Sequence, residues 1–567
     1  MPLALCGVLL NLSNVVGSPS AGTWAQNYDP WGHWWLAVVC ATLPLLLLLA
    51  LMLGFRMKAH RAALISLAAL LCVAIGLFHM PVHLAALATG YGIAYGLFPI
   101  AWIVFPVIFM YELTVHAKRF ELLQQCITGV TSDARLQLLL IAFAVGAFFE
   151  GAAGFGTPVA VCGTLLMGIG FLPIDAAALA LLANTAPVAF GGLGTPVVAL
   201  HGVTGLDTRL LSRTIGMLLT PFCVLVPFWL VAAFAGFRRM LEVWPAILLS
   251  GVLFGVTQLL VASFHGPWLV NIVASVVTIA AQVLFFRVWK PAQDINTALQ
   301  SITEDPSKLC RPSRSIVVRA VVPFAILTVC VALWGTPAFS HWLGSFSTVT
   351  FPVHGLDHVV LRMPPVVPAP HAEAAVFTFD WLTATGTGIF FAAILSAFVM
   401  GLGVREILIV LRRTLWNTRF TLITIACLMA FGFLTRFSGL DAVLGLAFVR
   451  TGALYPFFGT LIGWVGTAST GSDTSSNVLF GSLQKLTAIQ LGISPVLMAA
   501  ANSGGGVMGK MIAPQSVVVA STATGIYGKE GNILRRLVWH SIALASLMGV
   551  VVMIAPHIPA IVRMTSH

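Results

Sequence analysis

The chain has 567 residues, of which 59% are hydrophobic and 8% charged, with a formal net charge of +11. Soluble domains carry about 25% charged residues, so this composition excludes a water-soluble enzyme or binding module and points to an all-α polytopic membrane protein. Most Lys and Arg residues flank apolar segments, where they set topology, so the positive charge does not argue for a nucleic-acid partner.

In chain order, residues 1–22 read as a weakly structured extension ahead of a transporter domain at 23–567. Leu3–Leu12 is apolar but short and has no basic residue before it, so it makes a poor cleaved signal. Trp24, Trp31, Trp34 and Trp35 then form an aromatic belt. Spans are predicted at about 34–55, 62–78, 84–115, 174–200, 214–237, 243–263, 268–287, 316–335, 381–401, 418–436, 494–524 and 538–560. Crossing takes ~20 apolar residues, so these give about twelve transmembrane helices. The loops at 288–315 (polar and charged) and 336–380 (rich in Pro and His) do not read as separate domains. Nine scattered cysteines without a CxxC or Cys/His cluster predict neither disulfides nor a metal site.

Two further apolar pieces, 136–172 and 455–491, are broken near their centres. The first carries FFEGAAGFGTP (148–158) with Glu150, the second TGSDTSSN (470–477) with Asp473. A charge at the bilayer centre costs roughly 2.5–3.5 kcal/mol even on lenient scales. Non-helical backbone survives there only when buried in protein or lining a cavity. Each half has about 14 residues, or ~21 Å of helix, too short to cross. Each piece is therefore predicted as a re-entrant hairpin with the motif at its tip.

Charge supports this topology. With the N-terminus outside, twelve spans and two hairpins that return to their side of entry, 21 of the 29 Lys and Arg residues fall inside. Arg209, Arg213, Arg362, Arg436, Arg450, Lys485 and Arg563 fall outside, and Lys510 lies within a span. The hairpins then enter from opposite sides, which predicts inverted repeats. Repeat 1 covers about 84–237 with hairpin 136–172, and repeat 2 about 418–560 with hairpin 455–491. Behind the hairpins, NTAPVAFGGLGTP (184–196) and NSGGGVMGKMIAP (502–514) each place Asn and Pro twelve apart around a Gly-rich stretch. That pattern predicts broken helices facing a binding cavity; close packing at glycines is the plainer explanation.

The stretches FFEGAAGFGTPVAV, NTAPVAFGGLGTP, TGSDTSSNVLF and GGGVMGKMIAPQS closely resemble the bacterial lactate permease family, which includes L-lactate and glycolate permeases. QNYDPWG near Gln26, PIAWIV at Pro99 and RMPPVV in the outer loop extend the resemblance over roughly residues 24–560. The resemblance implies import of small 2-hydroxymonocarboxylates (L-lactate, D-lactate, glycolate) with protons across the bacterial inner membrane, without a cofactor. It also implies kinship with transporters built from hairpin-containing inverted repeats, for which an elevator-like movement is the usual proposal.

Such a substrate asks for a carboxylate site and a proton acceptor. The tips offer helix N-terminal amides and Gly-rich nests at Gly154, Gly156 and Gly471, with side chains of Thr157, Ser472, Thr474, Ser475, Ser476 and Asn477. Asn184, Asn502 and Lys510 join them from the broken spans. Capping of a helix start is the plain alternative for the Ser, Thr and Asp residues, and the stronger one for Asp473. Desolvation penalises a buried carboxylate's charge, which makes Glu150 the first candidate proton carrier and Asp473 the second. A mid-span ammonium at Lys510 needs a partner: the substrate, Asp473 or Glu150. Arg436 reads as an outer-interface anchor, and Tyr91, Tyr95 and Trp102 as packing residues. Two other classes remain. A sodium-coupled carboxylate transporter would use the same tips. A membrane enzyme lacks a second intramembrane aspartate, a tip serine with a base and a Walker motif.

Overall fold

The computed structural model describes residues 22–55, 57–119, 122, 130–154, 156–291, 314–526 and 529–558. The expected extension at 1–22, apart from Gly22, and most of the basic loop at 288–315 lie outside them.

Lipid offers no partner for backbone N–H and C=O groups, so the apolar runs become helices. Among the described residues nine helices are long and apolar enough to cross a membrane, or up to twelve if each bent pair is one span. The chain is a multi-pass helical membrane protein.

One of the nine, Ala134–Ala152, is the first arm of the predicted first hairpin. It has 19 residues, more than expected, yet 94% of its window is buried inside the protein, against 39% for Trp34–Met52 on the periphery. Its return arm Thr157–Gly168 has 12 residues, or ~18 Å, short of the ~30 Å hydrocarbon core. The arms are paired: Cys162 Sγ donates to Ile141 O at 3.1 Å. In the second hairpin, Tyr455–Thr470 and Asp473–Gln490 are 16 and 18 residues long. Ser476 Oγ donates to Gly463 O at 2.9 Å and Tyr455 Oη to Gln484 Oε1 at 2.7 Å. A Cβ on Gly466 would collide with Ser476 Oγ, so glycine sets how close these arms lie.

Behind the first hairpin, Pro173–Ala183 and Val188–Thr204 form a span bent by 68°. Within the bend Gly192, Leu193 and Gly194 have φ of 50°, 54° and 77°, a region open to glycine and costly for leucine. Behind the second, Pro495–Gly509 gives way to a short turn at Lys510–Ile512 before Pro514–Ala523. Pro514 lacks an N–H to donate and restarts the helix as its first residue. Both breaks fall between the Asn and Pro singled out by spacing.

The return arms cross over to the opposite broken span. Gly156 and Gly163 of the first face Val519 and Thr524. Gly481 of the second faces Leu200, Val203 and Thr204. Around the first hairpin the core is aromatic, with Phe109, Phe143, Phe149, Phe190, Phe222 and Phe254 fully buried.

The Pro- and His-rich loop is more structured than an all-α reading anticipates. Trp24–Ala25 pairs in parallel with Val360–Arg362, which pairs antiparallel with His371–Ala372. Thr348–Pro352 pairs with Val376–Asp380. This cap buries an ion network that includes Arg362, Glu373 and Arg436. Arg436, read from the sequence as an outer-interface anchor, donates from its guanidinium to Glu373 Oε2 at 2.8 and 3.0 Å. Lys485 belongs to the second hairpin, where Nζ donates to Thr204 O at 2.6 Å. Arg362 is ion-paired with Glu373 and lies 3.8 Å from Asp441. Burial alone would raise the Glu373 carboxyl, but Arg362 and Arg436 outweigh it and hold it below the usual range. Its stabilising charge is present above the ordinary carboxylate pKa and is lost only as pH falls through the lowered one.

Candidate functional site

Each tip turns on a left-handed glycine. Gly156, at φ 89°, precedes the return arm at Thr157, and Gly471, at φ 74°, ends the second hairpin's first arm. Together the tips and the broken spans enclose a cavity of about 270 Å³. Glu150, Gly154 and Gly156 line it from the first hairpin, and Thr470, Gly471, Ser472, Asp473, Thr474 and Ser475 from the second. Thr195, Lys510, Gln515 and Ser516 line it from the broken spans, and Thr421 and Thr424 from the long helix Val404–Ser438.

The two carboxyls flank their tips on opposite arms, Glu150 near the end of the first hairpin's first arm and Asp473 at the start of the second hairpin's return arm. Glu150 is 3% exposed, and its Oε2 accepts from Asn184 Nδ2 at 3.0 Å. A Cβ on Gly191 would collide with its carboxylate. Asp473 is 1% exposed and accepts from Ser503 Oγ at 2.5 Å, Thr467 Oγ1 at 3.4 Å and Asn477 Nδ2 at 3.4 Å. A Cβ on Gly506 would collide with that carboxylate too. Each acid thus rests on a glycine of the broken span behind its own hairpin. Capping of the second return arm falls to Ser472, whose side chain accepts from Ser475 N at 3.3 Å. Asp473, expected as the cap, instead turns inward to tie the tip to its broken span.

Lys510 is buried, and its Nζ donates to Gly471 O at 3.0 Å. Among the described residues no ion pair joins it to Glu150 or Asp473, although its charge acts on both. An ammonium has three donors; the carbonyl takes one.

Five expected contact residues do not line the cavity. Thr157 opens the return arm, Asn184 holds Glu150, and Ser476 joins the hairpin arms. Asn477 donates to Pro196 O at 3.2 Å and accepts from Asn502 Nδ2 at 2.9 Å. These side chains frame the site and link the two halves. Thr195, Gln515 and Ser516 line the cavity without having been expected to, although they sit in the same Gly-rich motifs, one or two residues from the restarting prolines. Thr421 and Thr424 carry only a weak signal, as hydroxyls in an apolar stretch. Tyr91 and Tyr95 line a second cavity, of about 960 Å³, with Arg209, His265 and Arg436. Among the described residues no group of three His, Cys, Asp or Glu could hold a metal ion.

The glycine beneath each acid provides a test. Gly506→Ala is expected to displace the Asp473 carboxyl while leaving the fold intact, because the added methyl meets the end of a side chain. Overpacking of this kind costs about 1–3 kcal/mol of stability, which the fold should withstand, so transport is expected to fall while the variant still elutes as a monodisperse species. Unchanged transport would show that the position of Asp473 is immaterial.

The chain matches the family model described as L-lactate permease over residues 37–559. It is 42% identical over 552 residues to the glycolate permease GlcA of Escherichia coli K12, covering 94% of this chain and 98% of that protein. Identity to the L-lactate permease of the same strain is 40% over 535 residues, covering 93% and 97%. For the L-lactate permease of Bacillus subtilis 168 it is 37% over 556 residues, covering 94% and 99%. Among solved structures, the YdaH transporter of Alcanivorax borkumensis aligns with a TM-score of 0.40 and 13% identity, covering 82% of this chain and 86% of that one. The relatives are named as permeases and not as enzymes, and on the family match this chain belongs to the L-lactate permease family of membrane transporters.

Proposed function

We propose that this protein imports small 2-hydroxymonocarboxylates, namely L-lactate, D-lactate and glycolate, by proton symport across the bacterial inner membrane. The observation that carries the assignment is the buried Lys510 ammonium on a small cavity between two hairpin tips, with two buried carboxyls beside it. The names of the relatives supply the cargo. Lys510 receives the substrate carboxylate, helped by the N-terminal amides of the helix that starts at Asp473. Thr195, Thr470 and Ser475, which line the same cavity, contact the 2-hydroxyl. Glu150 takes up the proton, so the loaded site carries less net charge through the membrane. The two hairpins and broken spans serve as inverted repeats, about 84–237 and 418–560, sharing one site.

Uptake of labelled L-lactate into proteoliposomes, driven by a pH gradient in sodium-free buffer, tests this assignment. Accumulation is expected, with competition by D-lactate and glycolate. No uptake until sodium is added would replace the proton with sodium. One methyl is worth only about 1–3 kcal/mol of discrimination, so the three acids should compete within roughly two orders of magnitude.

A further inference from the structure

Two of the stretches that carry the family likeness, QNYDPWG and RMPPVV, contribute nothing to the cavity between the tips. In the fold they meet. Gln26 Nε2 donates to the carbonyls of Arg436 and Phe437 at 3.0 Å each, at the end of the long helix. Tyr28 Oη donates to Gln26 Oε1 at 3.0 Å and accepts from Met363 N at 3.1 Å. Arg362, beside Met363, is buried between Glu373 and Asp441.

The assembly then grips the second hairpin. Ser482 Oγ, on the return arm, donates to Asp441 Oδ2 at 2.5 Å. At the far end of that arm Gln490 Nε2 donates to Pro365 O and Val366 O, both at 2.8 Å. Three bodies are therefore joined through polar side chains: the sheet-bearing cap, the end of the long helix with Leu440–Val449, and the return arm. On the other side, the lining of the tip cavity reaches Ala59, next to Lys58 at the basic end of its helix.

Buried ionic groups add little net stability over apolar packing of similar volume, and their best-attested use is to specify one arrangement among several. Such a junction has discrete made and broken states, unlike a greasy interface that slides, and a two-state element is what couples separate parts of a protein. We infer that Arg362 and Asp441 are positioning residues that clasp the second hairpin shut on the cap face in this conformation, and that the Asp441–Ser482 and Gln490 bonds release when the cavity opens to that face. The inference rests on the transport assignment, because a clasp that must open has meaning only in a transport cycle.

A cross-link tests it. A Cβ on Gly445 would lie 3.7 Å from Leu486 Cβ, within the 3.5–4.5 Å range of a disulfide. Gly445 belongs to Leu440–Val449 and Leu486 to the return arm. The full chain carrying Gly445→Cys and Leu486→Cys, in proteoliposomes, is expected to take up lactate when reduced. Oxidation should bring it to the level of empty liposomes, and a reductant should restore it, with the single-cysteine variants unaffected. Uptake by the fully cross-linked protein at its reduced rate would overturn the clasp. If the reduced double variant is inactive, Leu486→Cys alone decides, because it sits at the same interface and leaves the Asp441–Ser482 bond in place. Its labelling by an impermeant maleimide from the cap side, above that of the parent chain, should rise several-fold during lactate uptake. Labelling that turnover leaves unchanged would equally overturn the proposal. Absence of uptake by the parent chain would sink the transport assignment, and the clasp with it.

Discussion

Glu150→Gln, reconstituted in liposomes, is expected to lose proton-driven accumulation of lactate while retaining exchange of internal for external substrate. Glutamine keeps the shape of the side chain, and its carbonyl oxygen can still accept from Asn184 Nδ2, so the tip should hold its geometry. It cannot bind or release a proton. One pH unit is worth about 1.36 kcal/mol per proton, so one-to-one symport across a one-unit gradient sustains about tenfold accumulation, and the variant should level off near equal concentrations. Asp473 is the less suitable carrier. It accepts from Ser503, Thr467 and Asn477 and ties the second tip to its broken span. Among the described residues Asn184 is the hydrogen-bond donor to Glu150, leaving that carboxyl capacity for a proton. Full accumulation by Glu150→Gln would remove Glu150 from the mechanism, and Asp473→Asn would become the variant to measure.

Lys510→Ala should raise the lactate concentration needed for half-maximal uptake more than any other single change in the cavity. Removing one partner of a buried, hydrogen-bonded charge pair costs about 2–5 kcal/mol, or roughly 30-fold or more in affinity. Nζ spends one donor on Gly471 O and leaves the remainder for an anion in the cavity. Lys510→Arg should recover part of the loss, because it restores the charge but places it on a wider, planar group. Substrate binding to detergent-solubilised protein separates the two roles this lysine can have. Unaltered affinity with poor recovery of folded protein would make Lys510 a strut for the second tip.

Much of this architecture was legible in one dimension. The two polar breaks and the Gly-rich spans behind them stand out because a carboxylate or an open backbone group is costly wherever lipid surrounds it, whereas three of the four hairpin arms are longer than the sequence suggested. Lys510 and Glu150 were conspicuous for the same reason. The lining was less legible. Asn477 and Asn502 look like ligands in sequence, but they face one another and Pro196. Thr195, Gln515 and Ser516, a few residues away, face the cavity. Which side of a broken helix a residue occupies depends on φ values such as those of Gly192–Gly194 and on what the neighbouring arm presses against it.

By itself, then, the sequence determined that the chain lives in a membrane, which stretches are apolar enough to cross it and where it cannot be a plain helix. Those properties follow from local transfer free energies. Only the tertiary structure decided that Ser472 and not Asp473 caps the second tip, and that each acid rests on a glycine of its own broken span. It alone brought Arg362 to Asp441, and through Ser482 to the second hairpin. Apart from the Ser472 cap, these pairings join residues far apart in the chain, so no local free energy selects them; the packing of distant segments against one another does.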